Sequence, residues 1–123
     1  MILVDTSVWI DHLRATEPAL MNVLGRDDVA CHPLVIQELA LGSIKSRDAV
    51  LASLGRLKQV PTLSHHELLT LVSAHALWGN GLSPADAHLL GSILLSPGAQ
   101  LWTRDKALKA TADSVGAATV DWH

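Results

Sequence analysis

Four acidic residues are candidates for chemistry: Asp5, Glu38, Asp86 and Asp105. Asp5 directly follows the apolar run Met1-Ile2-Leu3-Val4, and Asp105 closes Leu101-Trp102-Thr103-Arg104. Each aspartate also has a plain structural reading. Asp5 could cap a helix. Asp86 completes Ser83-Pro84-Ala85-Asp86, a good capping box with proline at the first helical position. Asp105 could favour a helix dipole. Glu38 has no cap role. It lies in Val35-Ile36-Gln37-Glu38-Leu39, a helix expected to be apolar nearly all round, where an unpaired carboxylate is costly to ionise. Its bland alternative is a lysine partner or a buried hydrogen bond. Acids gathered on one rim repel each other unless a cation sits between them. Oxygen donors with no neighbouring cysteine suit Mg²⁺ or Mn²⁺. Such ions can activate a water and stabilise the leaving oxygen of a phosphodiester.

Gathering these acids requires a particular scaffold. The pattern predicts short apolar strands at Met1–Val4, Val29–Cys31, Gln100–Thr103 and Ala118–Val120. Helices are expected at Ser7–Leu13, Pro18–Gly25, Pro33–Leu41, Asp48–Leu57, Ser64–Trp78, Ser83–Leu95 and Asp105–Ala112. Gly79-Asn80-Gly81 is a turn. Strands alternating with helices imply a mostly parallel sheet covered on both faces. Functional groups then collect beyond the carboxyl ends of the strands, where Asp5 and Asp105 both fall.

The chain has 123 residues, and one domain spanning 1–123 is expected. Hydrophobic residues make up 49% and charged residues 17%, which argues against disorder. Its single cysteine, Cys31, excludes an internal disulfide and a cysteine-based zinc cage. No apolar run is long enough for a membrane span and no secretory signal is evident, so a cytoplasmic protein is expected. Lys and Arg number 9 against 12 Asp and Glu, for a net charge of −3. Bulk charge therefore does not supply a grip on nucleic acid. Set the four candidate acids aside and the balance turns slightly basic, so bound dications would provide the missing positive charge. The mean hydropathy of +0.29 suggests apolar surface left for a partner or a second copy.

The chain resembles the PIN-domain ribonucleases, specifically the VapC-type toxins of type II toxin–antitoxin pairs. The resemblance is carried by Met1-Ile2-Leu3-Val4-Asp5-Thr6-Ser7-Val8-Trp9-Ile10-Asp11, by Val35-Ile36-Gln37-Glu38-Leu39, by Ser83-Pro84-Ala85-Asp86-Ala87 and by Leu101-Trp102-Thr103-Arg104-Asp105-Lys106. It implies an α/β fold, the PIN-like three-layer α/β/α sandwich. It implies that Asp5, Glu38, Asp86 and Asp105 bind Mg²⁺ or Mn²⁺, and that Thr6 and Thr103 position a carboxylate or the attacking water. The implied reaction is endonucleolytic RNA hydrolysis by water, with no covalent enzyme intermediate. A VapB-type antitoxin would neutralise the enzyme, and a homodimer is expected.

Arg104, Lys106 and Arg14 are candidates to hold RNA phosphates, as is Lys109; a solvated charged face is the bland alternative. His88, two residues from Asp86, is expected to be structural. Asp11 is expected on the exposed side of the first helix. With no Phe or Tyr present, Trp9, Trp78, Trp102 and Trp122 are all expected in the core. His66-Glu67-Leu68-Leu69-Thr70 lacks the second histidine of a zinc protease, and there is no P-loop or nucleophile elbow. A non-catalytic module binding RNA or protein, and a metal-dependent DNA nuclease or phosphohydrolase, stay open as alternatives.

Overall fold

The computed structural model describes residues 1–122. Its elements run β1 (Ile2–Val4), α1 (Thr6–Arg14), α2 (Pro18–Gly25), β2 (Val29–Cys31), α3 (Pro33–Ala40), α4 (Arg47–Gly55), β3 (Lys58–Gln59), α5 (His65–Ala74), α6 (Pro84–Leu94), β4 (Gln100–Trp102) and α7 (Lys106–Ser114). The four strands form one sheet in the order β3-β2-β1-β4, with every pairing parallel. Alternate residues of a strand face opposite sides, yet Ile2, Leu3 and Val4 are all buried. Both faces of β1 are therefore covered, as the α/β/α expectation requires. Helices α1, α3 and α4 pack in series, and so do α5, α6 and α7.

Three expectations are corrected. β3 is an extra strand of two exposed polar residues on the sheet edge, with no apolar run to announce it. α5 ends at Ala74 rather than Trp78, because Ala76 takes a positive φ of 52°. The last strand shrinks to one bridge between Leu101 and Thr119. Its hydrogen bonds run from Leu101 N–H to the Ala118 carbonyl at 2.9 Å and from Val120 N–H to the Leu101 carbonyl at 3.0 Å.

The tryptophans also divide. Trp9 and Trp102 are core, but Trp78 is 68% exposed and Trp122 37% exposed. Trp78 lies beyond the end of α5, just before a turn whose Gly79 and Gly81 adopt φ of 76° and 77°. Cys31 is buried in β2, and burial pushes its thiol up to about 11, which leaves it unreactive. No helix among the described residues is long and apolar enough to cross a membrane.

Candidate active site

Strand register builds the site. β1 lies between β2 and β4, so the chain leaves β1 toward one side and returns on the other. That switch in strand order opens a crevice beyond the carboxyl ends of β1 and β4. Val4 pairs with Trp102, and Asp5 N–H donates to the Trp102 carbonyl at 2.9 Å. The next residue on each strand is then Asp5 and Thr103, side by side. Thr103 donates its hydroxyl hydrogen to Asp5 Oδ2 at 2.8 Å. The same hydroxyl oxygen accepts Asp105 N–H at 3.0 Å. Asp5 Oδ1 accepts Thr6 N–H at 2.8 Å, and Asp105 Oδ1 accepts Leu108 N–H at 3.0 Å. Asp5 and Asp105 are thus the N-caps of α1 and α7 as well as rim acids.

Asp86 sits in the first turn of α6 in the expected capping box. Asp86 N–H donates to Ser83 Oγ at 3.1 Å, and Ser83 N–H donates to Asp86 Oδ2 at 3.0 Å. Glu38 departs from expectation. It lies on the exposed side of α3, whose buried face carries only Val35 and Leu39. It opens into a cleft of about 390 Å³ that also holds Ile10, Arg14, Gly42, Ile44 and Lys45.

Charge ties the four acids together. Burial holds the Asp5 carboxyl above the ordinary range; hydrogen bonds from Thr103 and Thr6 oppose this, and the charges of Asp86 and Asp105 add to it. Glu38 is also raised, first by desolvation, then by Asp5 and Asp86. No ion pair among the described residues involves any of the four. Nor do three such side chains among the described residues converge into a ready ion cage. Beside Asp5, Thr6 Oγ1 and Ser7 Oγ are buried without hydrogen-bond partners. Hard oxygen donors, raised carboxyls and orphaned hydroxyls fit a hydrated divalent cation.

A family model described as "PIN domain" matches residues 2–114. The chain belongs to the PIN-domain family. Ribonuclease VapC32 of Mycobacterium tuberculosis, in strains CDC 1551 / Oshkosh and ATCC 25618 / H37Rv, is 58% identical over 121 residues. The match covers 98% of this chain and 98% of that protein. The resemblance to VapC-type ribonucleases is borne out by these two findings. Among solved structures, PAE2754 from Pyrobaculum aerophilum superposes with a TM-score of 0.63 at 22% identity, over 98% of this chain and 89% of that one. That likeness concerns the fold alone.

Around the PIN-domain rim, the cations divide by role. Arg104 does not point freely at a substrate. Its guanidinium is ion-paired with Asp11 and with Glu17, the latter at 3.1 Å, and its side chain is 22% exposed. Asp11 keeps 45% of its side chain exposed, in keeping with the outer side of α1 expected of it, while it holds Arg104. Lys109 Nζ donates to Asp121 Oδ1 at 2.7 Å and so holds the segment at Asp121 against α7. Lys106 and Arg14 are exposed. Sequence reasoning passed over Lys45, which joins Arg14 in the Glu38 cleft because the loop after α3 folds back; no local pattern signals this. It also passed over His32, the N-cap of α3, whose Nδ1 accepts Leu34 N–H at 3.0 Å. His88 packs 6.1 Å from His32, centroid to centroid, which suits the structural part expected of it.

Proposed function

We infer that this chain is a divalent-metal-dependent endoribonuclease, the toxin of a type II toxin–antitoxin pair, with residues 1–123 forming one PIN domain. The observation that carries this reading is the hydrogen-bond chain Asp5–Thr103–Asp105, with the charges of Asp86 and Asp105 acting on Asp5 and those of Asp5 and Asp86 acting on Glu38. The near full-length identity to a protein named a ribonuclease supports the activity.

Asp5, Glu38, Asp86 and Asp105 would hold Mg²⁺ or Mn²⁺. The ion supplies an activated water and charge neutralisation for a leaving oxygen. The chain's own residues do the rest. Thr103 orients Asp5 and fixes the backbone of Asp105. The buried hydroxyl of Thr6 would position a carboxylate or the attacking water. Water attack on phosphorus breaks one P–O bond and leaves no covalent enzyme intermediate. Lys106 and Arg14 hold backbone phosphates; with the Arg104 guanidinium engaged by Asp11 and Glu17, the phosphate contact expected of Arg104 falls to them. A VapB-type antitoxin is the partner that neutralises the toxin. Exposed Leu13, Met21, Leu41, Leu69 and Leu95 support protein partners, including a second copy in a homodimer. A cytoplasmic location fits this reading.

The test is cleavage of RNA by the purified protein with Mg²⁺ or Mn²⁺, against EDTA, alongside Asp5→Asn. Metal-dependent cutting that is lost in the variant supports the reading. Cutting in EDTA, or full activity in the variant, contradicts it.

A further inference from the structure

Trp122 meets the buried Trp102 edge to face, with ring centroids 5.0 Å apart at 88°. A T-shaped contact engages one edge or face and leaves the rest of the ring available. Trp122 keeps 37% of its surface exposed. It lines an open cavity of about 620 Å³ together with Thr103, Arg104, Asp105, Lys106, Lys109 and Asp121. This volume lies in the range of pockets that hold small ligands. Thr103 and Asp105 belong to the hydrogen-bond chain reaching Asp5, so the cavity opens directly beside the candidate active site.

The charges decide what the cavity suits. Arg104 is engaged by Asp11 and Glu17, and Lys109 by Asp121. Lys106 carries no ion pair among the described residues. One cation beside an aromatic ring and two carboxylates is poor for a purely anionic ligand. It suits a flat uncharged group attached to a phosphate. Single-stranded RNA offers that combination, because splayed bases stack on aromatic side chains while cations track the backbone. The Lys109–Asp121 pair, at 2.7 Å, keeps the segment bearing Trp122 against α7.

We propose that Trp122 is a stacking platform for one unpaired RNA base flanking the scissile phosphate, with Lys106 on the adjoining backbone. This rests on the ribonuclease reading of the same site. The test uses the whole chain as wild type, Trp122→Ala and Trp122→Phe. The probes are a single-stranded RNA oligonucleotide that the wild type binds and copies of it made abasic at one position at a time. Binding is measured in EDTA and cleavage in Mn²⁺. Trp122→Ala is expected to weaken binding and raise KM roughly 10- to 100-fold with kcat little changed, and Trp122→Phe to keep most of the affinity. At one abasic position, wild type and Trp122→Ala should bind alike. Equal affinity of wild type and Trp122→Ala for intact RNA overturns the proposal. So does an equal loss in Trp122→Phe and Trp122→Ala, or a loss that no abasic position removes; either marks Trp122 as packing, or as a contact for an apolar protein partner. A chain that cuts no RNA yet shows the abasic pattern in EDTA would refute the nuclease reading while still supporting Trp122 as a platform for an RNA base.

Discussion

Thr103 and Asp5 share a hydrogen bond of 2.8 Å across 98 residues of chain. Because the Thr103 oxygen also accepts Asp105 N–H, its hydrogen is aimed at Asp5. One hydroxyl thus ties together two candidate metal ligands on adjacent parallel strand ends. Thr103→Val keeps the shape and removes the donor. It should lower kcat/KM by about 10- to 100-fold and cost about 1–3 kcal/mol of stability, since a buried acceptor and a backbone donor lose their partner. Thr103→Ser should restore most of both. Steady-state cleavage and denaturant titration check this.

Raised carboxyls make a linked prediction about metal. A carboxyl lifted above its unfolded value binds its proton more tightly in the folded chain. Stability is then lost as pH rises from the ordinary carboxylate range through the raised value, and the penalty persists at neutral pH. A dication relieves it. Saturating Mn²⁺ should raise Tm by about 5 °C at pH 7 in the wild type and far less in Asp5→Asn. In EDTA, Asp5→Asn should melt no lower than wild type. Thermal melts with and without Mn²⁺ measure both.

His32 predicts an acid limb of the opposite origin. Burial, then the nearby His88, lowers His32 from 6.5 to about 4. The unfolded chain therefore takes up the proton first, and stability falls as pH drops from about 6.5 toward 4. His32→Asn keeps a side chain suited to capping α3 and removes the titration. Between pH 7 and 5 the wild type should lose about 2 kcal/mol more than the variant. Urea titrations at the two pH values check it.

Legibility in the sequence followed how local each cause was. Asp5 and Asp105 could be read because each follows a short apolar strand, and a parallel sheet sends both strand ends to one rim. Asp86 could be read from its own capping box. Glu38 differs from expectation: Leu34 and Val35 flank it on the helix and suggest apolar surroundings, but the open cleft beside it is made by α1 and the loop around residues 42–45. Arg104 stands beside Asp105 in sequence, yet Asp11 and Glu17 reach it only after β4 docks against β1. β3 exists through pairing with β2 rather than through its own polar residues. Composition alone points Trp122 to the core, because it says where tryptophan usually goes and not that an edge-to-face contact with Trp102 leaves 37% of it exposed.

The two basic neighbours of Asp105 should therefore behave differently. Arg104→Gln leaves Asp11 and Glu17 without their cation and should lower stability by about 1–3 kcal/mol. Lys106→Gln should leave Tm unchanged, weaken RNA binding several-fold and reduce the slope of affinity against salt by about one. Melts and salt-dependent RNA binding on the two proteins distinguish them.

The most direct measurement is RNA cleavage in Mn²⁺ by wild type and by Asp5→Asn, Glu38→Gln, Asp86→Asn and Asp105→Asn, each verified as folded. Rates at least about 100-fold below wild type in all four are predicted, because each variant would remove a charged oxygen donor from the proposed metal site. Wild-type cleavage by any folded Asp5→Asn preparation would contradict the account and leave Asp5 as the cap of α1 and nothing more.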